Sequence, residues 1–259
     1  MNTVIESIVI GVLQGLLEWL PISSEGNMVI VLVSIFGLQI EETLNTAIFL
    51  HIGTGLAALI YFRIEVIKIL LGETEEYADL RLKLFIMTML TGLVGFPLYM
   101  WLNISVIYGT MIIALTGLAL IITGLIQRQA GKQKQSGAKL SWPLSIILGA
   151  AQGLAIIPGL SRSGLTTSIM LFREFTGEEA FRISFLMSIP ASFAAAFGMI
   201  LVKGFEPDTF SALSAVVAAI VGYLAIGALL RLGRRVSFWK ICVGLGVLAV
   251  LAWVPTLLV

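Results

Sequence analysis

The sequence predicts an all-α polytopic membrane protein with six transmembrane helices and two re-entrant helix hairpins in an inverted-topology repeat. Three observations lead there. Of the 259 residues, 58% are hydrophobic and 12% charged; six apolar stretches are long enough to cross a bilayer; and two more are interrupted by similar polar, helix-breaking signatures. A mean hydropathy of +1.03 implies more apolar surface than a soluble domain of this length can hide, so lipid must be part of the solvent.

The six spans fall at 43–62, 83–101, 107–126, 181–202, 211–230 and 241–259. At ~1.5 Å of rise per residue, each covers a hydrocarbon core of ~30 Å. No Lys or Arg precedes Arg63, whereas a secretory signal starts with a basic region, so the first stretch is expected to stay in the mature protein. The formal net charge of +1 singles out no partner, and nucleic acid is not expected as one. One cysteine, Cys242, inside an apolar run excludes an intrachain disulfide and a multi-cysteine zinc cluster and reads as a small buried apolar residue.

The two interrupted stretches complete the layout. Residues 4–20 end at Pro21-Ile22-Ser23-Ser24-Glu25-Gly26-Asn27 before apolar character resumes at 28–38, and 144–157 end at Pro158-Gly159-Leu160-Ser161-Arg162-Ser163-Gly164 before 165–172. The resumed segments are too short to span, so each pair is expected to dip in and return to the same side. Gly11-Val12-Leu13-Gln14-Gly15-Leu16 parallels Gly149-Ala150-Ala151-Gln152-Gly153-Leu154, and the Pro and Ser turns correspond with one residue inserted. This divides the single membrane domain into a first repeat (1–126), a polar cytoplasmic linker (127–142) and a second repeat (143–259). Three spans per half is an odd number, so the second half is expected upside down relative to the first.

Tracing alternate sides puts Arg63, Lys68, Arg81, Lys83, Arg128, Lys132, Lys134, Lys139, Arg173, Arg182, Arg231, Arg234, Arg235 and Lys240 on one face and Lys203 alone on the other. The positive-inside rule then places the linker in the cytoplasm and both termini outside.

Hairpins entering from opposite faces would meet near the midplane, where backbone freed from helix must be satisfied by protein, water or ligand. A helix starts after each Ser-rich turn, aiming unpaired N–H groups and the positive dipole end at the junction, so an anion is the expected guest. Ser161, Arg162 and Ser163 add hydroxyls and a guanidinium fork suited to phosphate. Arg162 is costly at membrane depth unless functional or paired, and Glu18 is its available partner.

Glu18 follows Gln14 by four residues on one helical face, where a carboxylate can hold a divalent cation, Mg or Ca, or accept a proton. Glu25 is either a second metal ligand or a carboxylate facing the helix dipole. Ser24, beside Glu18, is the candidate nucleophile, with helix capping as the alternative. His51, the only histidine, lies inside a span, serving either function or a helix-to-helix hydrogen bond.

Gln14-x-x-x-Glu18 with Pro21-x-Ser23-Ser24-x-Gly26, and Pro158-Gly159-x-Ser161-Arg162-Ser163-x-x-Thr166, resemble the two signature motifs of the undecaprenyl-diphosphate phosphatase (bacitracin-resistance) family. The resemblance covers essentially the whole chain, including His51-x-Gly53-Thr54 and Ser184-Phe185-Leu186-x-Ser188-Ile189-Pro190. It implies hydrolysis of a C55-type polyprenyl diphosphate to the monophosphate and inorganic phosphate, recycling a lipid carrier at a site opening to the extracytoplasmic face with a divalent cation assisting. Glu18 would be the essential acid, Ser24 the nucleophile, and Ser161, Arg162 and Thr166 the diphosphate clamp. Ser23, Ser163, Gly159, Asn27 and His51 join the substrate-binding candidates. Asn27 stands where bacterial members usually have His, and Asn cannot act as a general base; the Glu25-Gly26-Asn27 form is similar to archaeal members.

Inverted repeats with broken helices are also the architecture of secondary transporters, so the alternative reading is a flippase for polyprenyl phosphate. A channel fits less well, because Arg162 and the phosphate-like tips imply binding rather than throughput. The Lys-x6-Arg-Pro pattern of the other large membrane lipid-phosphatase family does not occur. A homodimer is left open.

Overall fold

A computed structural model describes residues 3–24, 27–28, 40–104, 111–130, 138–157, 159–232 and 238–253. All the regular structure among them is helical: α1 (Thr3–Leu17), α2 (Ile40–Tyr61), α3 (Arg63–Leu71), α4 (Glu75–Ile104), α5 (Met111–Ala130), α6 (Trp142–Leu154), α7 (Arg162–Phe172), α8 (Gly177–Lys203), α9 (Thr209–Leu232) and α10 (Phe238–Trp253). Glu25 and Pro158, and the resumed segment 29–38, lie outside the described residues.

Among the described residues three helices are long and apolar enough to cross a membrane, over Glu75–Trp101, Gly177–Val202 and Thr209–Arg231, and α2 with α3 passes together as a bent pair, a broken span or a re-entrant loop. Helices α6 and α7 have 13 and 11 residues, about 20 and 16 Å at ~1.5 Å per residue, well short of a ~30 Å hydrocarbon core.

Sequence and structure differ at two places. The span expected over 43–62 is α2, which ends at Tyr61; what the sequence did not announce is that the chain then bends by 79° into α3, which exposes Ile64, Ile67, Leu70 and Leu71 while Glu65 pairs with Arg182 of α8 at 2.9 Å. Helix α5 also runs past residue 126 to Ala130, so Gln127 is helical rather than part of a linker.

The glycines repeated in the two halves serve packing. A Cβ at Gly11 would stand 2.6 Å from Ser214 O, and one at Gly15 2.9 Å from Ala218 O, so α1 lies directly on α9. Likewise a Cβ at Gly149 would meet Met87 O at 2.7 Å and one at Gly153 Thr91 O at 2.9 Å, so α6 lies on α4. Small residues one turn apart are what bring helix backbones this close in a membrane. Each short helix thus packs on a helix from the other half of the sequence.

Trp19 is fully buried beside Glu18, edge-on to Phe185 with ring centroids 4.9 Å apart. This fixes the end of α1 against α8 within a core that also takes Ala57, Phe181 and Ile226. Basic residues interlock away from it. Lys83 reaches Leu140 O at 2.6 Å and lies over Trp142, Arg81 reaches Leu70 O, and Arg128 and Lys240 lie over Trp239.

Candidate active site

After α1 the chain leaves the helix in a tight turn over Leu20–Ser24, with Ser23 at φ +58°, a left-handed conformation uncommon for a residue with a side chain. Four consecutive turn carbonyls are capped by side chains. Leu20 O accepts from Ser163 Oγ at 2.9 Å; Pro21 O accepts from Gln127 Nε2 and from Cys242 Sγ at 3.0 Å; Ile22 O and Ser23 O accept from Asn27 Nδ2 at 2.7 and 2.8 Å. Bare carbonyls at membrane depth would be costly, and this turn leaves none of the four bare.

The second turn is capped locally. Ser161 is the N-cap of α7, its Oγ accepting from Gly164 N at 3.1 Å. Gly159 has φ +96°, and a Cβ there would lie 2.4 Å from Thr116 O, so only glycine fits. Its N–H donates to Ser23 Oγ at 3.2 Å. That bond and Ser163 to Leu20 join the two turns.

At the junction Glu18 and Arg162 pair, Nη2 to Oε1, at 2.5 Å. The guanidinium also donates through Nη1 to Ser184 O at 3.2 Å. Ser184 is held from below by Thr166, hydroxyl to hydroxyl at 2.7 Å, and Thr166 Oγ1 donates to Arg162 O at 2.9 Å. A guanidinium has five N–H donors, so others remain for a ligand.

The other carboxylate oxygen of Glu18 is the centre of a cluster. Oε2 accepts from Ser24 Oγ at 2.8 Å and from Gln14 Nε2 at 3.2 Å, and His51 Nε2 stands 3.2 Å away. His51 Nδ1 is 2.9 Å from Ala47 O. A carbonyl can only accept, so this contact is a hydrogen bond in the tautomer that carries hydrogen on Nδ1.

Glu18, His51 and Arg162 form one end of a cavity of about 270 Å³ that continues between α4 and α8 along Gly92, Gly95, Ala191, Ala195 and Gly198. Glu18, Ser24, Arg162 and His51 are therefore brought together. Ser23, Ser161, Ser163, Gly159, Asn27 and Thr166 sit immediately around them, with their polar groups bonded to the turns, to the α7 cap or to Ser184. Glu25 lies outside the described residues, and among those described no three His, Cys, Asp or Glu side chains gather as a metal cluster. Gln127 and Cys242 were missed as parts of the site. The only local signal was a glutamine at the end of an apolar run and a cysteine within one.

A helical membrane bundle that gathers a carboxylate, a hydroxyl and a guanidinium at a buried turn junction has the donors to hold an anionic group. Residues 7–250 match the family described as bacitracin resistance protein BacA, and the chain belongs to that family. It is 40% identical to the undecaprenyl-diphosphatase of Methanococcoides burtonii over 97% of this chain and 98% of that protein. It is 39% identical to the undecaprenyl-diphosphatase of Haloarcula marismortui over 96% and 97%, and 35% identical to that of Saccharolobus solfataricus over 97% and 96%.

Proposed function

We propose that this protein hydrolyses an undecaprenyl-type polyprenyl diphosphate to the monophosphate and inorganic phosphate, recycling the lipid carrier. The observation that carries the reading is Glu18 bridging Ser24 and Arg162 at the charged end of a cavity lined mostly by small and apolar side chains, in a chain whose relatives are named for this activity.

The spare N–H groups of Arg162 take the phosphoryl oxygens and stabilise charge as it spreads over them. Ser24 Oγ attacks the terminal phosphorus and its proton passes to Glu18 Oε2, while the bond to the bridging oxygen breaks and its electron pair leaves with the prenyl monophosphate. Water then attacks the phosphoserine, releasing inorganic phosphate as Ser24 regains a proton. Asn27 serves the turn, and His51 holds the carboxylate from its far side.

A divalent cation, Mg or Ca, fits the donor set. Gln14 Oε1 is a buried oxygen without a hydrogen-bond partner on the residue that already bonds Glu18, and hard cations prefer such oxygens. Glu18 and Gln14 would hold it; Glu25, the other expected ligand, lies outside the described residues. When bound it would neutralise charge on the diphosphate.

The surrounding architecture is proposed as six spans and two re-entrant hairpins in inverted repeat. Support comes from the two short glycine-bearing helices each packing on the other half. The cavity runs toward Tyr99 and Val202, the ends of α4 and α8 away from Lys83 and Arg182. With basic residues cytoplasmic, the site opens extracytoplasmically.

Purified protein is expected to release phosphate from C55 diphosphate and to lose that activity on chelation. Glu18→Ala and Arg162→Ala should each lower release by about 10³-fold or more while the helix content persists; full activity in either would sink the reading. Each also strands a buried charge, so a stability loss of about 3–5 kcal/mol accompanies it.

A further inference from the structure

We propose that the prenyl tail of the substrate leaves the charged junction between α4 and α8, through a passage that Gly92 and Gly198 hold open. These two glycines thereby let the enzyme accept long polyisoprenoid chains. The inference rests on the phosphatase reading and adds where the lipid's tail lies.

The cavity has the polarity of an amphiphile. Glu18, His51 and Arg162 stand at one end, and from there the lining is almost entirely small or apolar, passing Ile156, Ala191 and Ala195 to Phe96 and Val202. Continuity with the charged cluster identifies the occupant: a molecule whose anionic head sits on Arg162 must put its tail into this space. Tyr99 and Met199 face each other at the far end, hydroxyl to sulfur at 2.9 Å.

The glycines along this path differ from those that pack helices. Gly149 and Gly153 press on backbone, whereas a Cβ at Gly92 or at Gly198 would meet nothing within 4 Å among the described residues. A helix interior glycine costs about 0.5–1 kcal/mol relative to alanine, and here no neighbour requires it. What sets these two apart is that the space they leave belongs to the cavity that ends on Arg162. Ser184, which anchors Arg162, is on the same helix as Gly198, and at ~1.5 Å per residue Gly198 lies about 21 Å along α8 from it. A short prenyl chain ends before that point, and a long one must pass it.

The test uses Gly92→Leu and Gly198→Leu, with Gly244→Leu on α10 as a control, since Gly244 also faces open space but does not line the cavity. For Gly198→Leu, kcat/KM on C55 diphosphate is expected to fall at least about tenfold while that on C10 diphosphate stays within about twofold; for Gly92→Leu, whose neighbour Thr91 is bonded through Gln152 to the level of Met187, C55 hydrolysis should fall as far and C10 hydrolysis with it; the control should change neither. Unchanged C55 hydrolysis in either variant, or equal loss on both chain lengths in Gly198→Leu, overturns the assignment. A photoreactive group on the tail of a C55 diphosphate should label peptides spanning 88–99 or 191–202 in the unsubstituted protein, and labelling confined to other helices overturns it as well. Should that protein release no phosphate from C55 diphosphate, the phosphatase reading itself fails, an outcome distinct from active protein whose glycine variants are unaffected.

Discussion

The two turns that meet at the junction are marked by similar signatures in the sequence, yet they are held by opposite means. The second caps itself: Ser161 accepts from Gly164 three residues on, and Gly159 takes the left-handed angle that its lack of a side chain permits. The first borrows its support. Leu20 O and Pro21 O are bonded by Ser163, Gln127 and Cys242 from other helices, with Asn27 just downstream serving Ile22 O and Ser23 O, and its left-handed residue is a serine. The turn with the acid and hydroxyl therefore depends on α5, α7 and α10 for its shape, whereas the turn with the guanidinium is shaped mainly by its own few residues. Chemistry that needs a precise carboxylate has been placed where the whole bundle fixes it; a charge that only has to grip needs less.

The contrast is broken most sharply by comparing one serine from each turn. Ser24 donates to Glu18 and Ser163 to Leu20 O, at 2.8 and 2.9 Å, so the bonds lost are alike and only the roles differ. Ser24→Ala is expected to lower single-turnover phosphate release by about 10³-fold. Ser163→Ala should lower it less than about tenfold while costing about 1 kcal/mol of stability, read from thermal unfolding in detergent. A phosphorylated Ser24 trapped by rapid quench sharpens the result; equal activity losses would erase the distinction between the turns.

The same comparison explains what the sequence could disclose. Apolar length alone revealed α4, α8 and α9, because burial in lipid is a property of a continuous stretch. Glu18 and Arg162 were legible as partners, since an isolated charge at membrane depth demands one. The bend into α3 was not, because Arg63, Glu65 and Lys68 interrupt the apolar residues after 62 and a change of direction leaves no mark on hydropathy. Nor were Gln127 and Cys242, whose bonds to Pro21 span 106 and 221 residues; a donor borrowed from a distant helix leaves no local pattern. The repeated Gly-x-x-Gln-Gly signature was visible, but its use, helix-on-helix contact at Gly11, Gly15, Gly149 and Gly153, appears only when the partner helix is in place.

A smaller effect is expected at Asn27, whose amide serves two carbonyls of the first turn. Asn27→Ala leaves Ile22 O without that donor and should cost about 1–3 kcal/mol, with phosphate release falling severalfold because the turn carries Ser24. Asn27→Asp keeps the size, removes the donor and adds a charge, so it should be no better than alanine. If Asn27→Asp were as stable and active as the unsubstituted protein, the turn would not depend on this amide.

The smallest effect sets the limit of the borrowing. Cys242 Sγ and Gln127 Nε2 both donate to Pro21 O, and a thiol is the weaker donor of the two. With the amide still in place, Cys242→Ala leaves the carbonyl bonded and removes one buried sulfur, so a stability loss below about 1.5 kcal/mol is expected with phosphate release nearly unchanged. Gln127→Ala should cost more, about 1–3 kcal/mol, and the pair together should cost more than the sum of the single losses, because only then is Pro21 O stranded in the membrane. A double variant whose loss merely adds would show that water or another group reaches that carbonyl, and the first turn would then be less dependent on its neighbours than its hydrogen bonds imply.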